Sequence, residues 1–363
     1  MIGTRRARTA RTARRAAAAL AAPLALSAAL LAPPALAQDG PTVGMSWANF
    51  QEERWKIDEA GLEERLGELG GELVSTDAQS SSARQATDIE SLISRGIDVL
   101  MIVAWDSEAI LPSVQRAVDE GIPVIAYERQ IEHPDVFYTA FNPVDVGRMQ
   151  AEAIVEAAPE GRYAIIAGSP QDQYAHYVLE GQKTVLDPLV ESGDIEIVAE
   201  QWTDAWLPGN AQANMEQILT AEGDEIDAVV AANDGTAGGV VAALASVGLD
   251  GVVPVSGQDG DIAALNRIAL GTQTMTAWKD ARELGRAAAD VAAEIAGGAA
   301  FEEVTDVVTW DRGPKGVAQS AVVLPPVSVT DDNLERVVEA GWISEADLCA
   351  GVGGANAPAP CGG

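Results

Sequence analysis

The chain has 363 residues, with 23 Lys and Arg against 55 Asp and Glu, and a formal charge of -32. This balance argues against a nucleic-acid binder, because phosphate contact requires a basic face. An apolar fraction of 47% is higher than that of disordered chains, so the protein is expected to fold. The length suggests about two domains of roughly 150 residues each. The expected molecule is a folded, acidic protein with two lobes.

The N-terminus has the pattern of an export signal. Six arginines and no acidic residue occur in the first fifteen positions, an apolar run covers residues 16–31, and Ala35-Leu36-Ala37 forms an A-x-A site. This pattern predicts a signal peptide over residues 1–37, and Arg14-Arg15 leaves the twin-arginine route open beside the general one. Three prolines in or next to the apolar run argue against the alternative, a membrane anchor. We therefore predict a periplasmic or secreted protein that is not membrane-spanning.

The chain contains two cysteines, Cys349 and Cys361, both in a Gly/Ala/Pro-rich tail. Outside the cytoplasm such a pair is expected to form one disulfide. Because no cysteine lies at the cleavage site, no lipid anchor is expected there. Neither histidine is near the pair, so no metal is predicted, and both His133 and His176 are interpreted as surface residues.

Short β-rich runs alternate with helical stretches from Thr42 onward. The continuous apolar runs over 99–103 and 124–126 are typical of strands buried on both faces of a parallel sheet. The first series predicts strands over 43–46, 72–75, 99–103, 124–127 and 137–140, with helices over 52–69, 83–95 and 108–120. This alternation indicates an α/β lobe with a doubly wound parallel sheet.

A second series follows residue 142 without a flexible linker. It predicts strands over 163–167, 195–200, 228–232, 252–256 and 274–277, with helices over 144–157, the 170s and 180s, 211–219, 236–247, 262–270 and 281–295. Two doubly wound lobes joined in this way predict a cleft, with ligand groups at the carboxyl ends of the strands.

The predicted strand ends are rich in planar polar side chains and tryptophan. Hydrogen-bonding Asp, Asn and Arg side chains suit vicinal hydroxyls, and an indole face suits the apolar side of a sugar ring. The mixture of acids and bases favours a neutral polyol, although any one of these residues could equally cap a helix. These strand-end strings are N-F-Q-E-E-R-W (49–55), Trp105-Asp106, Glu128-Arg129, Asn142, G-S-P-Q-D (168–172), W-T-D-A-W (202–206), Asn233-Asp234, G-Q-D (257–259) and Trp278-Lys279.

Motifs for other chemistries are missing from the sequence, so no cofactor and no catalytic residue is predicted. There is no GxGxxG, no Walker A sequence and no GxSxG. Asp259-Gly260-Asp261 opens like a calcium loop, but its twelfth position is Leu270 where Glu is required. A carbohydrate-active hydrolase remains the alternative of another class, since Asp172, Asp234 and Asp259 are candidates for paired carboxylates.

Taken together, several strings resemble the periplasmic sugar-binding proteins of ABC transporters, which have the type I periplasmic binding protein fold. Within that family the D-xylose-binding proteins are the group resembled, over about residues 42–345. The strings are E-R-W (53–55), R-G-I-D-V-L (95–100), A-Y-E-R (126–129), Q-W-T-D-A-W-L-P (201–208), A-N-D-G-T-A-G-G (232–239), S-G-Q-D-G-D (256–261) and G-T-Q-T-M-T (271–276) with Lys279.

The resemblance implies the ligand, the site residues and the partners. The ligand would be a monosaccharide, D-xylose first, with another pentose, a hexose, a polyol or a furanose signal as alternatives. The protein would be a monomer that serves an ABC transporter permease. The hydrogen-bonding residues would be Arg54, Arg129, Asp172, Asn233, Asp259 and Lys279, and Trp206 would pack against the sugar ring.

Three positions depart from the pattern of the xylose-binding group. Glu128 replaces an Asp, Tyr174 replaces an Asn, and Asn142-Pro143 replaces an Asp-Asn pair. We expect Glu128 and Tyr174 to narrow or reshape the pocket, so both are included among the ligand-binding residues.

The resemblance also implies three crossings between the lobes, near residues 141–142, 277 and 306. The N-terminal lobe would then contain residues 38–141 plus 277–306, and the C-terminal lobe residues 142–276 plus 307–345. A Gly/Ala/Pro-rich tail with the disulfide would cover residues 346–363.

Overall fold

A computed structural model describes residues 40–354 and 357–362. The predicted signal peptide, residues 1–37, lies outside this part of the chain. The first half of the described chain alternates strand and helix, as expected of a parallel α/β lobe. Its elements are β1 (Thr42–Trp47), α1 (Arg54–Glu68), β2 (Glu72–Asp77), α2 (Ser82–Ser94), β3 (Val99–Ile102), α3 (Leu111–Asp119), β4 (Val124–Tyr127) and β5 (Val136–Phe141).

The second half continues the alternation and adds three short strands near the end. Its elements are α4 (Pro143–Ala157), β6 (Gly161–Ala167), α5 (Gln173–Ser192), β7 (Ile195–Trp202), α6 (Pro208–Glu222), β8 (Ala228–Ala231), α7 (Asp234–Ser246), β9 (Gln258–Asp259), α8 (Ile262–Ala269), β10 (Met275–Trp278), α9 (Ala281–Ala296), β11 (Val308–Trp310), β12 (Gln319–Leu324), β13 (Val327–Thr330), α10 (Glu335–Glu339) and α11 (Glu345–Leu348).

The N-terminal lobe is built on a seven-stranded sheet in the order β11-β12-β5-β4-β3-β1-β2. Every pairing in it is parallel except that of β11 with β12. Helices α1 and α9 cover one face, where Leu62 and Leu284 are fully buried, and α2 and α3 cover the other, where Leu92 and Val114 are fully buried. The two-sided burial explains the continuous apolar runs of β3 and β4.

The C-terminal lobe contains two three-stranded sheets, β7-β6-β8 and β9-β10-β13. The predicted strand over 252–256 is reduced to a parallel bridge between Val255 and Val229, and Thr274 N donates to Val255 O at 2.8 Å. This segment therefore connects the two sheets. Helices α4 and α5 pack on one face of β6, and α6 and α7 pack on the other.

The lobe boundary predicted near residue 306 is wrong. Strand β12 pairs in parallel with β5, and β11 pairs with β12, so residues 308–324 complete the N-terminal sheet. Gln319 secures the start of β12 there, since its Nε2 donates to Ile131 O and Val136 O, both at 3.0 Å. The third crossing instead lies between β12 and β13, at Pro325-Pro326.

The tail is part of the C-terminal lobe. Cys349 and Cys361 form a disulfide, and Leu348 is fully buried against residues of α8 and β13. Asn266 Nδ2 donates to Leu348 O at 2.8 Å and to Ala350 O at 2.9 Å. In the described ranges, none of the helices combines the length and hydrophobicity needed to cross a membrane.

Candidate functional site

A small cavity of about 20 Å³ lies between the lobes, at the carboxyl ends of their strands. All nine residues predicted to bind a ligand line it, and three others join them that were not among the predicted ligand residues. The lining consists of Glu52, Arg54, Trp55, Glu128, Arg129, Asp172, Tyr174, Trp206, Asn233, Gln258, Asp259 and Lys279. Convergence of separate strand ends on one cavity is the geometry expected of open parallel sheets.

The side chain of Arg54, the first residue of α1, is oriented by the carboxylate of Asp58, one helical turn later. Its Nε and Nη2 donate to the two oxygens of Asp58 at 2.9 and 3.1 Å, and Tyr127 OH donates to Asp58 Oδ1 at 2.5 Å. The bidentate pair leaves Nη1 directed at Glu128 Oε1, 2.6 Å away. Asp58 therefore orients the guanidinium without lining the cavity.

Glu128, Asp259 and Lys279 form an ion cluster that joins the two lobes. Lys279 Nζ lies 2.5 Å from Glu128 Oε1 and 3.0 Å from Asp259 Oδ1. Arg54 Nη1 adds a contact of 3.4 Å to the same Asp259 oxygen. Tyr174 borders the cluster, because Lys279 Nζ donates to its hydroxyl at 3.2 Å and lies 4.7 Å from its ring centroid.

The cluster keeps its acidic members ionised. Burial by itself would raise the pKa of Glu128, but the positive charges of Arg54 and Lys279 hold that pKa below its ordinary value. Burial likewise opposes ionisation of Asp259, and the same two cations lower its pKa. Asp259 Oδ2 has no hydrogen-bond partner among residues 40–354 and 357–362, so a ligand hydroxyl can donate to it.

A second cross-lobe contact joins Arg129 of the N-terminal lobe to Asp172 of the C-terminal lobe. Arg129 Nε lies 3.0 Å from Asp172 Oδ2, and Trp206 Nε1 donates to the same oxygen at 3.1 Å. Burial raises the pKa of Asp172, and the charge of Arg129 opposes this. Asp172 thus fixes both a planar donor and an aromatic ring at the cavity wall.

The ring of Trp206 occupies its position through unusual backbone geometry. Ala205 and Trp206 have φ values of 56° and 58°, in the left-handed region that side-chain-bearing residues rarely adopt. Gly168 provides the space for the ring, because an added Cβ would lie 2.1 Å from Trp206 Cη2. Glu128 and Asp259 also have positive φ, at 58° and 106°, so strained backbone recurs around the cavity.

Trp55 contributes a second indole, from the N-terminal lobe. Its Nε1 donates to Glu52 Oε2 at 2.6 Å, and the guanidinium carbons of Arg54 and Arg129 lie 4.7 and 5.7 Å from its ring centroid. Trp55 and Glu52 both belong to the N-F-Q-E-E-R-W string (49–55), so the sequence indicated that they lie near the site. Arg54 was the one residue of that string predicted to bind the ligand.

Asn233 and Asn142 both cap helices, but of the two only Asn233 lines the cavity. Asn233 caps α7 by accepting from Thr236 N at 2.8 Å through Oδ1, which leaves its amide hydrogens for a ligand. Asn142 caps α4 by accepting from Val144 N and Asp145 N at 3.2 and 3.3 Å, and it does not line the cavity. Asn142 therefore belongs to the first crossing.

The histidines and possible metal ligands lie elsewhere or are not clustered. His133 Nδ1 accepts from Asp135 N at 3.1 Å, and a ring nitrogen of His176 bonds Pro170 O at 3.0 Å, both away from the cavity lining. Over residues 40–354 and 357–362, no group of three or more His, Cys, Asp or Glu side chains is arranged to hold a metal ion.

Comparison with known proteins identifies the family to which this architecture belongs. The sequence pattern of the periplasmic binding protein domain matches residues 43–300. The chain belongs to the periplasmic binding protein family. Its parallel sheets and flanking helices follow the type I version of that fold, as the sequence resemblance predicted.

Members of this family that bind sugars are similar over most of the chain. The D-xylose-binding periplasmic protein of Escherichia coli K12 is 40% identical over 308 residues, which cover 84% of this chain and 92% of that protein. The protein of the same name from Haemophilus influenzae is 39% identical, covering 84% and 91%. A solute-binding protein structure from Clostridium phytofermentans with bound β-D-glucose has a TM-score of 0.76 and 28% identity, covering 85% and 99%.

Proposed function

We propose that this protein captures a monosaccharide, D-xylose foremost, between its lobes and delivers it to an ABC import permease. The observation that carries the proposal is the interlobe cavity, where paired charged side chains and two tryptophans converge. The 40% identity to a D-xylose-binding periplasmic protein supports the choice of sugar.

The pairing of charges within the cavity suits an uncharged ligand. Arg54, Arg129 and Lys279 each lie within 3.0 Å of a carboxylate oxygen. A charged ligand would have to break one of these buried pairs, which leaves a buried charge without a partner at a cost of about 3–5 kcal/mol. A sugar hydroxyl avoids that cost, since it donates to a spare carboxylate lone pair and accepts from a spare N–H.

Binding and release follow from the contacts that cross the cleft. Three ion pairs join one lobe to the other: Arg129–Asp172, Lys279–Glu128 and Arg54–Asp259. A sugar bound among these residues therefore contacts both lobes only when the cleft is closed. Rotation at the three crossings would open the cleft and expose the ligand. Selectivity would arise because an epimer leaves one buried polar group unpaired, at a cost of ~1–3 kcal/mol.

The second candidate ligand is a hexose, favoured by the similarity to a structure that holds β-D-glucose. Two residues that depart from the xylose-binding pattern would decide between the two sugars: Glu128, a member of the ion cluster, and Tyr174, which borders it. Another pentose, a polyol or a furanose signal remains a further alternative. We propose no hydrolytic activity, because Asp172 and Asp259 are both ion-paired and Asp234 does not line the cavity.

We also propose export to the periplasm with removal of residues 1–37, and a monomeric state. Mass spectrometry of the protein purified from its native envelope would measure the first residue, with Gln38 expected. Light scattering would give the mass of the particle, and a dimer mass would contradict the monomer.

Thermal unfolding in the presence of single sugars tests the ligand assignment. A ligand that binds only the native state raises Tm by an amount that grows with concentration over Kd. We expect the largest rise with D-xylose, a smaller one with D-glucose, and none with charged sugar acids. Equal Tm values for every sugar would contradict the proposal, and release of xylose from aryl xylosides would favour a hydrolase.

A further inference from the structure

Asp234 is a buried acidic residue immediately behind the cavity. It follows Asn233 at the start of α7 and is 1% exposed, but it does not line the cavity. Its Oδ2 accepts from Gly260 N at 2.9 Å, Asp261 N at 3.0 Å and Thr276 Oγ1 at 2.8 Å. Its Oδ1 accepts from Gln273 Nε2 at 2.8 Å.

These bonds hold the loop that carries Asp259. The backbone of Asp259 has a φ of 106°, which an isolated loop would leave readily. The next two backbone N–H groups both donate to one oxygen of Asp234, so the loop cannot relax without losing both bonds. Space is also restricted, because a Cβ at Gly257 would lie 2.0 Å from Asp234 Oδ1.

The same carboxylate reaches the strand that leads to Lys279. Thr276 lies within β10, Gln273 lies just before it, and Lys279 follows its last residue. Asp234 is also adjacent in sequence to Asn233. One side chain therefore connects the three segments that present Asn233, Asp259 and Lys279 to the cavity.

A buried carboxylate is a costly way to make such a connection. Burial and the negative charge of Asp259 raise the pKa of Asp234 to about 7. Across residues 40–354 and 357–362, no Lys, Arg or His side chain forms an ion pair with its carboxylate. Arg267 donates instead to the main-chain oxygen of Asp234 at 2.8 Å and to Gln273 Oε1 at 3.0 Å. The four donors divide between the two oxygens, and a carboxylate can accept at both whereas an amide accepts at only one.

We propose that Asp234 is a positioning residue for ligand binding, which sets affinity by holding Asp259 and Lys279 in place without touching the ligand. This inference rests on the proposed sugar-binding function. Asp234 acts through the loop at 257–261 and through β10, so its loss should misplace the Asp259 carboxylate relative to Lys279 Nζ, 3.0 Å away.

The test is Asp234→Asn, which keeps the shape of the side chain. An amide presents one acceptor oxygen, so its NH₂ group must face either Gln273 Nε2 or the backbone donors of the loop. We expect D-xylose affinity, measured by calorimetry on protein whose circular dichroism is unchanged, to fall at least tenfold. Hydrogen exchange in the peptide covering 257–261 should be faster than in the wild type.

A compensating change distinguishes positioning from a general structural effect. In the double variant Asp234→Asn with Gln273→Glu, the carboxylate introduced at position 273 accepts from the amide introduced at position 234 and from Arg267 Nε. The bond that Gln273 Nε2 donates to Met275 O at 3.0 Å is lost. We therefore expect the double variant to bind more tightly than Asp234→Asn and less tightly than the wild type, whereas Gln273→Glu alone places two carboxylates together and weakens binding. Failure of the double variant to bind better than either single variant would overturn the proposal.

Two further outcomes are decisive. Thr276→Val removes one donor to Asp234 with little change of shape, and it replaces Asp234→Asn as the test if Asp234→Asn does not fold. In that case, unchanged D-xylose affinity in Thr276→Val would overturn the proposal. If the wild type binds xylose and a folded Asp234→Asn binds equally well, the inference alone fails. If the wild type binds no sugar, the proposed function fails and the inference with it.

Discussion

Gly168→Ala perturbs the site from outside the cavity lining, through the ring of Trp206. The added Cβ would lie 2.1 Å from Trp206 Cη2 and 2.4 Å from Cζ2 and Cζ3, whereas ordinary contact begins near 3.4 Å. The backbone of Gly168 is not in the left-handed region, so alanine meets no left-handed strain there. The ring must therefore move by more than an ångström.

That displacement has consequences that can be estimated. Moving the ring breaks the 3.1 Å bond from Trp206 Nε1 to Asp172, and a hydrogen bond to a charged group contributes about 1.5–3 kcal/mol. We expect D-xylose affinity to fall at least tenfold, which corresponds to about 1.4 kcal/mol. The fold should survive, because overpacking one position typically costs about 1–3 kcal/mol.

Calorimetric titration with D-xylose checks this prediction. Gly209→Ala is the matched control, since a Cβ there has nothing within 4 Å and the residue lies in α6, just beyond Trp206. The control should bind like the wild type. Wild-type affinity in Gly168→Ala would refute the claim that the position of the Trp206 ring matters for binding.

Three other substitutions test the wall of the cavity. Trp206→Ala should weaken binding at least tenfold in the same titration, and unchanged affinity would reject ring packing. Asp259→Ala should abolish measurable binding with normal circular dichroism, whereas micromolar affinity would exclude its role. In the folded protein the pKa of Glu128 lies below its ordinary value of 4.5. The Glu128 charge therefore stabilises the fold fully above pH 4.5, and this stabilisation is lost as the pH falls through the folded-state pKa. The wild type's advantage over Glu128→Gln in urea unfolding should therefore be constant from pH 8 to about 5 and shrink below that; an advantage that grows in acid would contradict the ion cluster.

The alternating pattern of the sequence was sufficient to predict the α/β fold, although one lobe boundary was misplaced. Because parallel strands of one sheet place their carboxyl ends along one edge, polar residues after β6 and β8 were expected near one another, and a cleft between two lobes was expected to bring those after β4 and β10 to the same place. Arg129, Asp172, Asn233 and Lys279 follow these strands, and all four line the cavity.

The supporting residues were harder to predict. Asp58 and Asp234 do not line the cavity, and what they do depends on which donors the folded chain brings to them. The Arg54–Asp58 spacing of four residues on a helix was the one local signal available, and it is common on exposed helices. The third crossing was misplaced because the pairing of β12 with β5 is a long-range contact that residues 307–324 do not encode locally.

The acidic composition describes the surface more than the site. Among the described residues, the buried acidic side chains are Asp58, Glu128, Glu132, Asp172, Asp234, Asp259 and Asp280. The cavity pairs its acids with Arg54, Arg129 and Lys279, so the excess negative charge lies mainly on exposed helices and loops. A high surface charge of one sign favours solubility.

The central claim is that the interlobe cavity binds one monosaccharide, and a calorimetric titration of the wild-type protein with D-xylose tests it most directly. The predicted result is one site per chain with micromolar or tighter affinity, weakened in Trp206→Ala. Absence of binding heat at several temperatures, with D-xylose and with the other sugars, would contradict the account.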